Sequence, residues 1–282
     1  MEELATGYGL VEGPVWDPQR GLLYSDVHNG GVFCLDRAGR VTQVVEHRRG
    51  IGGMALHERG GLVVGGRNVA YKGADVDGTV VLLGNDCVPD IIGFNDLTTD
   101  EGGRIYVGSL GGSPFGDQAG RKTGHLHLID LDGSHHVLAH DIKLTNGLGF
   151  SPDGKTLYHA DSRNNIVGMY EVHEDGGVGE RQVFARVEPG IPDGLALSED
   201  GAVWVAVARG DALLVFNPDG SLRERIGTPF HMPTSVCFGG DDLRDLYIVS
   251  GTDGTGRDDG GGVYRIRVPV PGLPVPPARV RF

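Results

Sequence analysis

One short sentence recurs six times along the chain, and such a repeat restricts the fold more than any other feature. The copies read EGPVWDPQRGLLYSDV from Glu12, GGMALHERGGLVVGG from Gly52, NDLTTDEGGRIYVGSL from Asn95, NGLGFSPDGKTLYHADS from Asn146, DGLALSEDGAVWVAVA from Asp193 and TSVCFGGDDLRDLYIVSG from Thr234. Successive starts lie 40, 43, 51, 47 and 41 residues apart, close to the roughly 40–50 residues of a four-stranded propeller blade. Each copy holds a short apolar strand, a DG- or GG-type turn and a second strand rich in Tyr, Trp, Val and Ile, which is a β-hairpin signature. A second hairpin follows several copies, as in GVFCLDRAGRVTQVVEH and ALLVFNPDGSLRERIG. No long stretch carries helical periodicity. The pattern predicts an all-β chain: one six-bladed β-propeller domain over residues 1–282 with four-stranded blades and a central metal site.

The 49 glycines follow no collagen period and fit a fold with many tight turns. The longest step contains LGGSPFGDQAGRKTGH at residues 110–125, expected as a long loop of the kind that covers or lines sites. The last copy has about three strands before VPVPGLPVPP; the fourth must come from residues 1–11 or from the terminal ARVRF.

A net charge of −13 argues against a nucleic-acid partner, which requires a basic stripe. No run of about 18 apolar residues is present, so no membrane helix is expected. The N-terminus has neither the basic nor the apolar segment of a secretory leader. Cys34, Cys87 and Cys237 are odd in number and widely spaced, which makes a disulfide framework or zinc ribbon unexpected and a reducing cytoplasm the default. A small molecule is the expected partner, with the oligomeric state left open.

The repeat aligns Glu12, Gly52, Asn95, Asn146, Asp193 and Thr234 at one position, immediately before the innermost strand of each blade. Innermost strands line a propeller's channel, so these positions should converge. Two carboxylates brought together there would repel unless a proton or a cation sat between them. Glu12 and Asp193, with the amide oxygens of Asn146 and of Asn95, are hard ligands suited to calcium first, magnesium and manganese next, and zinc last. Turn chemistry is the competing explanation, because Asn-Gly and Asp-Gly form turns readily. It does not account for Glu12.

These segments resemble the senescence-marker-protein / gluconolactonase / regucalcin-like family, from about Glu12 to GGGVYRI near the C-terminus. The resemblance implies a six-bladed propeller with one catalytic divalent cation. It implies metal ligands at Glu12, Asn146 and Asp193, a general base at Asp193, and a contact to substrate or metal-bound water at Asn95. Lactone hydrolysis is the activity implied, often of sugar lactones and sometimes extending to organophosphates. One departure concerns the residue two before Asn95, an arginine in members that act on sugar acids and Gly93 here. Phe94, Phe115, Phe230 and Met232 would then give a more apolar mouth, away from gluconolactone itself.

His231 is a candidate proton carrier at the substrate, with a surface or core role as the alternative, and His28 is similarly placed. His125 and His127 share one strand face, expected to be solvated. Asp26 and Asp161 end second strands and are expected to cap loops. No GxSxG motif is present for a serine hydrolase, and GRKTGH lacks the strand–loop–helix setting of a phosphate loop. Two other classes fit the same features: a calcium- or small-ligand-binding propeller without turnover, and a protein-interaction propeller.

Overall fold

A computed structural model describes residues 1–46, 48–73, 78–114, 121–252 and 260–282. After β1 (Glu2–Tyr8), the first repeat forms β2 (Val11–Asp17), β3 (Gly21–Asp26), β4 (Val32–Leu35) and β5 (Val41–Val45). The second forms β6 (Met54–Leu56), β7 (Leu62–Val64), β8 (Val69–Lys72) and β9 (Val80–Leu83), and the third β10 (Gly93–Thr99), β11 (Ile105–Leu110), β12 (Gly124–Ile129) and β13 (His135–Ile142). The fourth forms β14 (Thr145–Phe150), β15 (Thr156–Asp161), β16 (Ile166–Glu171) and β17 (Gln182–Arg186). The fifth comprises β18 (Ile191–Leu197), β19 (Val203–Ala208), β20 (Ala212–Phe216) and β21 (Leu222–Gly227), and the sixth β22 (Pro233–Gly239), β23 (Asp245–Ser250) and β24 (Gly261–Arg267). Six antiparallel four-stranded sheets result, the blades of a six-bladed β-propeller.

The hairpins follow from turn chemistry. In SPDG, Gly154 takes a positive φ of 69°, its N–H donates to Ser151 O at 2.9 Å, and Asp153 Oδ1 accepts from Lys155 N at 3.1 Å. SEDG repeats the device with Gly201 at φ 80°. Such a turn with a left-handed glycine matches the twist of the strands it joins. The strand after it is packed on both faces, so VWVAVA in β19 is buried at every residue.

The strands group into two compact units. Met1–Ile51 with Val187–Pro274 holds the first, fifth and sixth sheets. The sixth has the order β1-β24-β23-β22, so its fourth strand comes from the N-terminus. Tyr8 anchors β1, its hydroxyl 2.6 Å from that of Tyr24 and its ring edge-on to Phe33 at 5.2 Å. The core of this unit runs through Trp204, Phe230, Phe238 and Tyr264 and, separately, through Val11, Tyr24 and Val249.

Gly52–Arg186 with Val275–Phe282 holds the other three sheets. The C-terminal tail docks here instead of completing a blade. Ala278 N donates to Leu56 O at 2.8 Å, Arg279 N to Gly103 O at 2.9 Å and Arg281 N to Leu131 O at 2.9 Å. Ala278 and Val280 are buried with Phe94, Ile105 and Ile129. No helix among the described residues is long and apolar enough to cross a membrane.

Candidate functional site

Five of the six aligned positions do not precede their strands. Glu12, Asn95, Asn146, Asp193 and Thr234 lie inside β2, β10, β14, β18 and β22, and only Gly52 lies ahead of its strand. Each of the five occupied strands is irregular there: the ladder slips between Glu12 and Val15, Phe94 and Leu97, Thr145 and Leu148, Pro192 and Leu195, and Pro233 and Ser235. An extra residue in one strand re-aims a side chain, and bulges concentrate beside active sites for that reason. Asn146-Gly147 and Asp193-Gly194 are therefore bulges within strands and not turns, which removes the turn explanation for them.

In the first unit, Asp193 is 6 % exposed. Its Oδ1 lies buried outside any hydrogen bond, while other interactions hold the residue. Gly194 beside it is a close-approach position, because a Cβ there would lie 2.0 Å from Ser235 Oγ. Glu12 is half-buried opposite Ser25, whose hydroxyl lies 3.1 Å from Glu12 O and 2.6 Å from Ile51 O. Thr234 is committed elsewhere: its hydroxyl donates to Val11 O at 2.5 Å, pinning β22 to β2 one residue before Glu12.

In the second unit, the two asparagines are directly joined. Asn95 Nδ2 donates to Asn146 Oδ1 at 2.7 Å and to Thr145 O at 2.8 Å, and Asn146 Nδ2 donates to Ser162 Oγ at 2.9 Å. This orients the Asn146 amide, with its oxygen on the Asn95 side. Gly52 has a steric role in the set, since a Cβ on it would lie 1.9 Å from Asn95 Oδ1. Gly53 similarly admits Asp96, whose Oδ1 would be 2.5 Å from an added Cβ. Burial pushes the Asp96 carboxyl up to about 7, opposed by the hydrogen bond from Leu97 N. Asp96, Ser162 and the spacer role of Gly52-Gly53 do not follow from the alignment of the repeats alone. The adjacent Gly-Gly and Asn-Asp pairs in neighbouring repeats were the available signal.

Several expectations are corrected. Phe94 was expected at an apolar mouth and on the substrate, but it is 1 % exposed, packed in the core and edge-on to His127 at 5.7 Å. Successive strand residues face opposite ways, so turning Asn95 outward sends Phe94 inward. Phe230 is also a core residue, stacked on Tyr264 at 4.2 Å. Phe115 lies outside the described residues, as do the other residues of 115–120 within the 110–125 insertion. Gly93 is glycine for a steric reason: a Cβ would lie 2.7 Å from Gly66 O, where the backbones of Gly66 and Phe94 exchange hydrogen bonds at 2.7 and 2.9 Å.

His231 is engaged by a loop carboxylate, its Nδ1 lying 2.9 Å from Asp211 Oδ1. His28 follows β3 in a turn, where its N–H donates to Asp26 Oδ1 at 3.1 Å. His127 is fully buried rather than solvated, with Nε2 2.8 Å from Ser109 Oγ. Asp26 and Asp161 cap loops as expected: Asp26 accepts from the N–H groups of Gly9, His28 and Asn29, and Asp161 from those of Lys143 and Leu144.

Residues 10–252 match the family described as the SMP-30/Gluconolactonase/LRE-like region. Over 279 residues the chain is 34 % identical to a 6-deoxy-6-sulfogluconolactonase of Pseudomonas putida, an alignment covering 95 % of this chain and 94 % of that one. It is 29 % identical over 283 residues to a pentonolactonase of Haloferax volcanii, with 95 % and 94 % covered. The crystal structure of a calcium-binding protein, regucalcin, of Agrobacterium tumefaciens shares the fold with a TM-score of 0.85 at 22 % identity, covering 99 % of this chain and 97 % of that one. The chain belongs to the SMP-30/gluconolactonase/LRE-like family.

Proposed function

We propose that the protein hydrolyses a lactone with the help of one divalent cation. The observation that carries this reading is near-full-length similarity to two proteins named as lactonases, one of them 34 % identical. The register adds support, because the polar residues that the resemblance makes functional all stand at strand bulges.

Glu12, Asp193 and Asn146 are the residues that would hold the cation, calcium before magnesium, manganese or zinc. Their side chains fit such an ion chemically: two carboxylates and an amide oxygen are hard ligands, with no thiol or imidazole among them. What supports these three is the family match and their common register. The Agrobacterium relative is described as calcium-binding, in keeping with calcium as first choice. When bound, the cation supplies Lewis-acid polarisation of the lactone carbonyl.

The chain's own residues do the rest. Asp193 takes a proton from the attacking water as the water oxygen bonds to the acyl carbon. The ring C–O bond then breaks, and the proton passes to the departing alkoxide, giving a hydroxy acid. Asn95 holds the Asn146 amide in place through Nδ2 and contacts the substrate or its attacking water. The backbone crossing at Gly93 leaves no space for an arginine there, so an anionic sugar acid lacks that anchor. A panel of lactones and esters, assayed with chelator and after adding back each metal, tests the proposal. Lactone turnover that disappears with chelator and returns with one metal supports it; cation binding with no turnover on the panel replaces it with a binding protein.

A further inference from the structure

The second unit carries an imidazole pair outside the candidate site. His125 on β12 and His140 on β13 bring their Nδ1 atoms to 3.3 Å, with ring centroids 4.8 Å apart and planes at 75°. The ladder explains the approach. Gly124 pairs with Ile142 and Leu126 with Ala139, so His140 and Asp141 both lie opposite His125 at a bulge. Asp141 adopts a φ of 60° and its carboxylate lies 3.4 Å from Thr123 Oγ1. His140 and Asp141 are exposed and line an open groove of about 670 Å³ together with Val178, Glu180 and Arg181.

We propose that His125 and His140 chelate a borderline divalent transition cation such as Zn²⁺ through their two Nδ1 atoms, with water completing the shell and Asp141 supplying negative charge beside it. The spacing suits that ion. Two nitrogens each about 2.0–2.1 Å from a tetrahedral Zn²⁺ are themselves about 3.3–3.4 Å apart, so the pair already stands at the edge length of the tetrahedron. Without metal, one neutral imidazole donates its Nδ1–H to the other; on binding, that ring takes its Nε2–H tautomer, so that both Nδ1 lone pairs face the cation while both rings stay neutral. Both rings must be neutral to bind, and partial burial followed by the proximity of His140 holds the His125 imidazolium pKa below its usual range, while Asp141 acts in the opposite sense. Imidazole donors favour zinc, copper or nickel over calcium, which sets this site apart in chemistry from the all-oxygen set of Glu12, Asn146 and Asp193. His140 is exposed and both rings lie outside the proposed lactonase machinery, so substitution here should leave turnover unchanged.

The test is a Zn²⁺ titration against a chromophoric chelator, in saturating Ca²⁺, of the wild type, His125→Ala and His140→Ala. Long-range ¹H–¹⁵N spectra of the imidazoles are recorded in parallel, along with lactone turnover. The expected result is one equivalent of Zn²⁺ in the wild type that both variants lose, with the His125 and His140 Nδ1 resonances shifting on binding. Circular dichroism of His140→Gln, a surface change, separates lost ligation from lost fold. Equal Zn²⁺ stoichiometry in all the proteins, or bound Zn²⁺ that leaves those resonances unmoved, overturns the proposal.

Discussion

Asn95 Nδ2 donates to Asn146 Oδ1 at 2.7 Å, so the orientation of one asparagine is set by the other, 51 residues further along the chain. Outer partners that orient a metal-binding side chain are typically worth about 10–100-fold in metal affinity or activity. Asn95→Ala should therefore lower lactone kcat/KM and weaken cation binding by roughly that factor. Ser162→Ala, which removes the acceptor of Asn146 Nδ2, should act in the same direction. Steady-state kinetics with a metal titration checks both.

Gly52 and Gly53 predict two different failures. A Cβ on Gly52 meets the end of a side chain, Asn95 Oδ1 at 1.9 Å, whereas one on Gly53 meets backbone, Leu97 N and Asp96 Cα each at 2.6 Å. Gly52→Ala should displace the Asn95 amide and reduce activity to about the level of Asn95→Ala with a small change in Tm. Gly53→Ala should cost about 1–3 kcal/mol of stability, as overpacking does. Thermal unfolding beside kinetics separates the two.

Restoring an arginine at residue 93 should not create a sugar-acid enzyme. The Cβ alone would stand 2.7 Å from Gly66 O and break into the reciprocal hydrogen bonds between Gly66 and Phe94. Gly93→Arg and Gly93→Ala should both lower Tm, and neither should improve kcat/KM on an anionic lactone. A folded Gly93→Arg protein with enhanced turnover of such a substrate would contradict this account of the position.

Buried histidines give the protein an acid-labile component. Burial pulls His127 down to about 3, from a usual value of 6.5, and His159 down to about 4. His127 Nε2 lies 2.8 Å from Ser109 Oγ and His159 Nε2 lies 2.6 Å from Thr145 Oγ1. Both rings stay neutral in the folded protein, while the unfolded chain takes up their protons below about 6.5. Their contribution is therefore complete above that pH and is lost as pH falls toward the folded values. Tm should drop between pH 7 and 4, and His127→Gln should remove part of that slope. An unchanged slope in both His127→Gln and His159→Gln would show that these rings do not carry it.

The six hairpins were readable because each repeat pairs an apolar run with turn residues whose backbone demands are strict, as at Gly154 and Gly201. The repeat also lined up Glu12, Asn95, Asn146 and Asp193, since equivalent positions share a register whatever the local geometry. What it concealed was the bulge: Asn146-Gly147 and Asp193-Gly194 have turn-forming composition, and only the slipped ladder shows that they sit within strands. Strict alternation would have sent Phe94 to the core once Asn95 was turned outward. His127 shares a strand face with half-buried His125 yet is itself fully buried, because depth along a strand is set by neighbouring sheets and not by alternation. The final strand was undetermined for a similar reason: residues 1–11 and ARVRF both suit an edge, and the choice of β1 rests on tertiary contacts of Tyr8.

Asp193→Asn tests the central claim most directly, because it preserves shape and removes only the charge and basicity of the buried carboxylate. Lactone turnover should be lost with the circular dichroism spectrum unchanged, and the affinity for the activating cation should fall in a direct titration. A folded Asp193→Asn protein that hydrolyses the lactone at the wild-type rate would contradict the account.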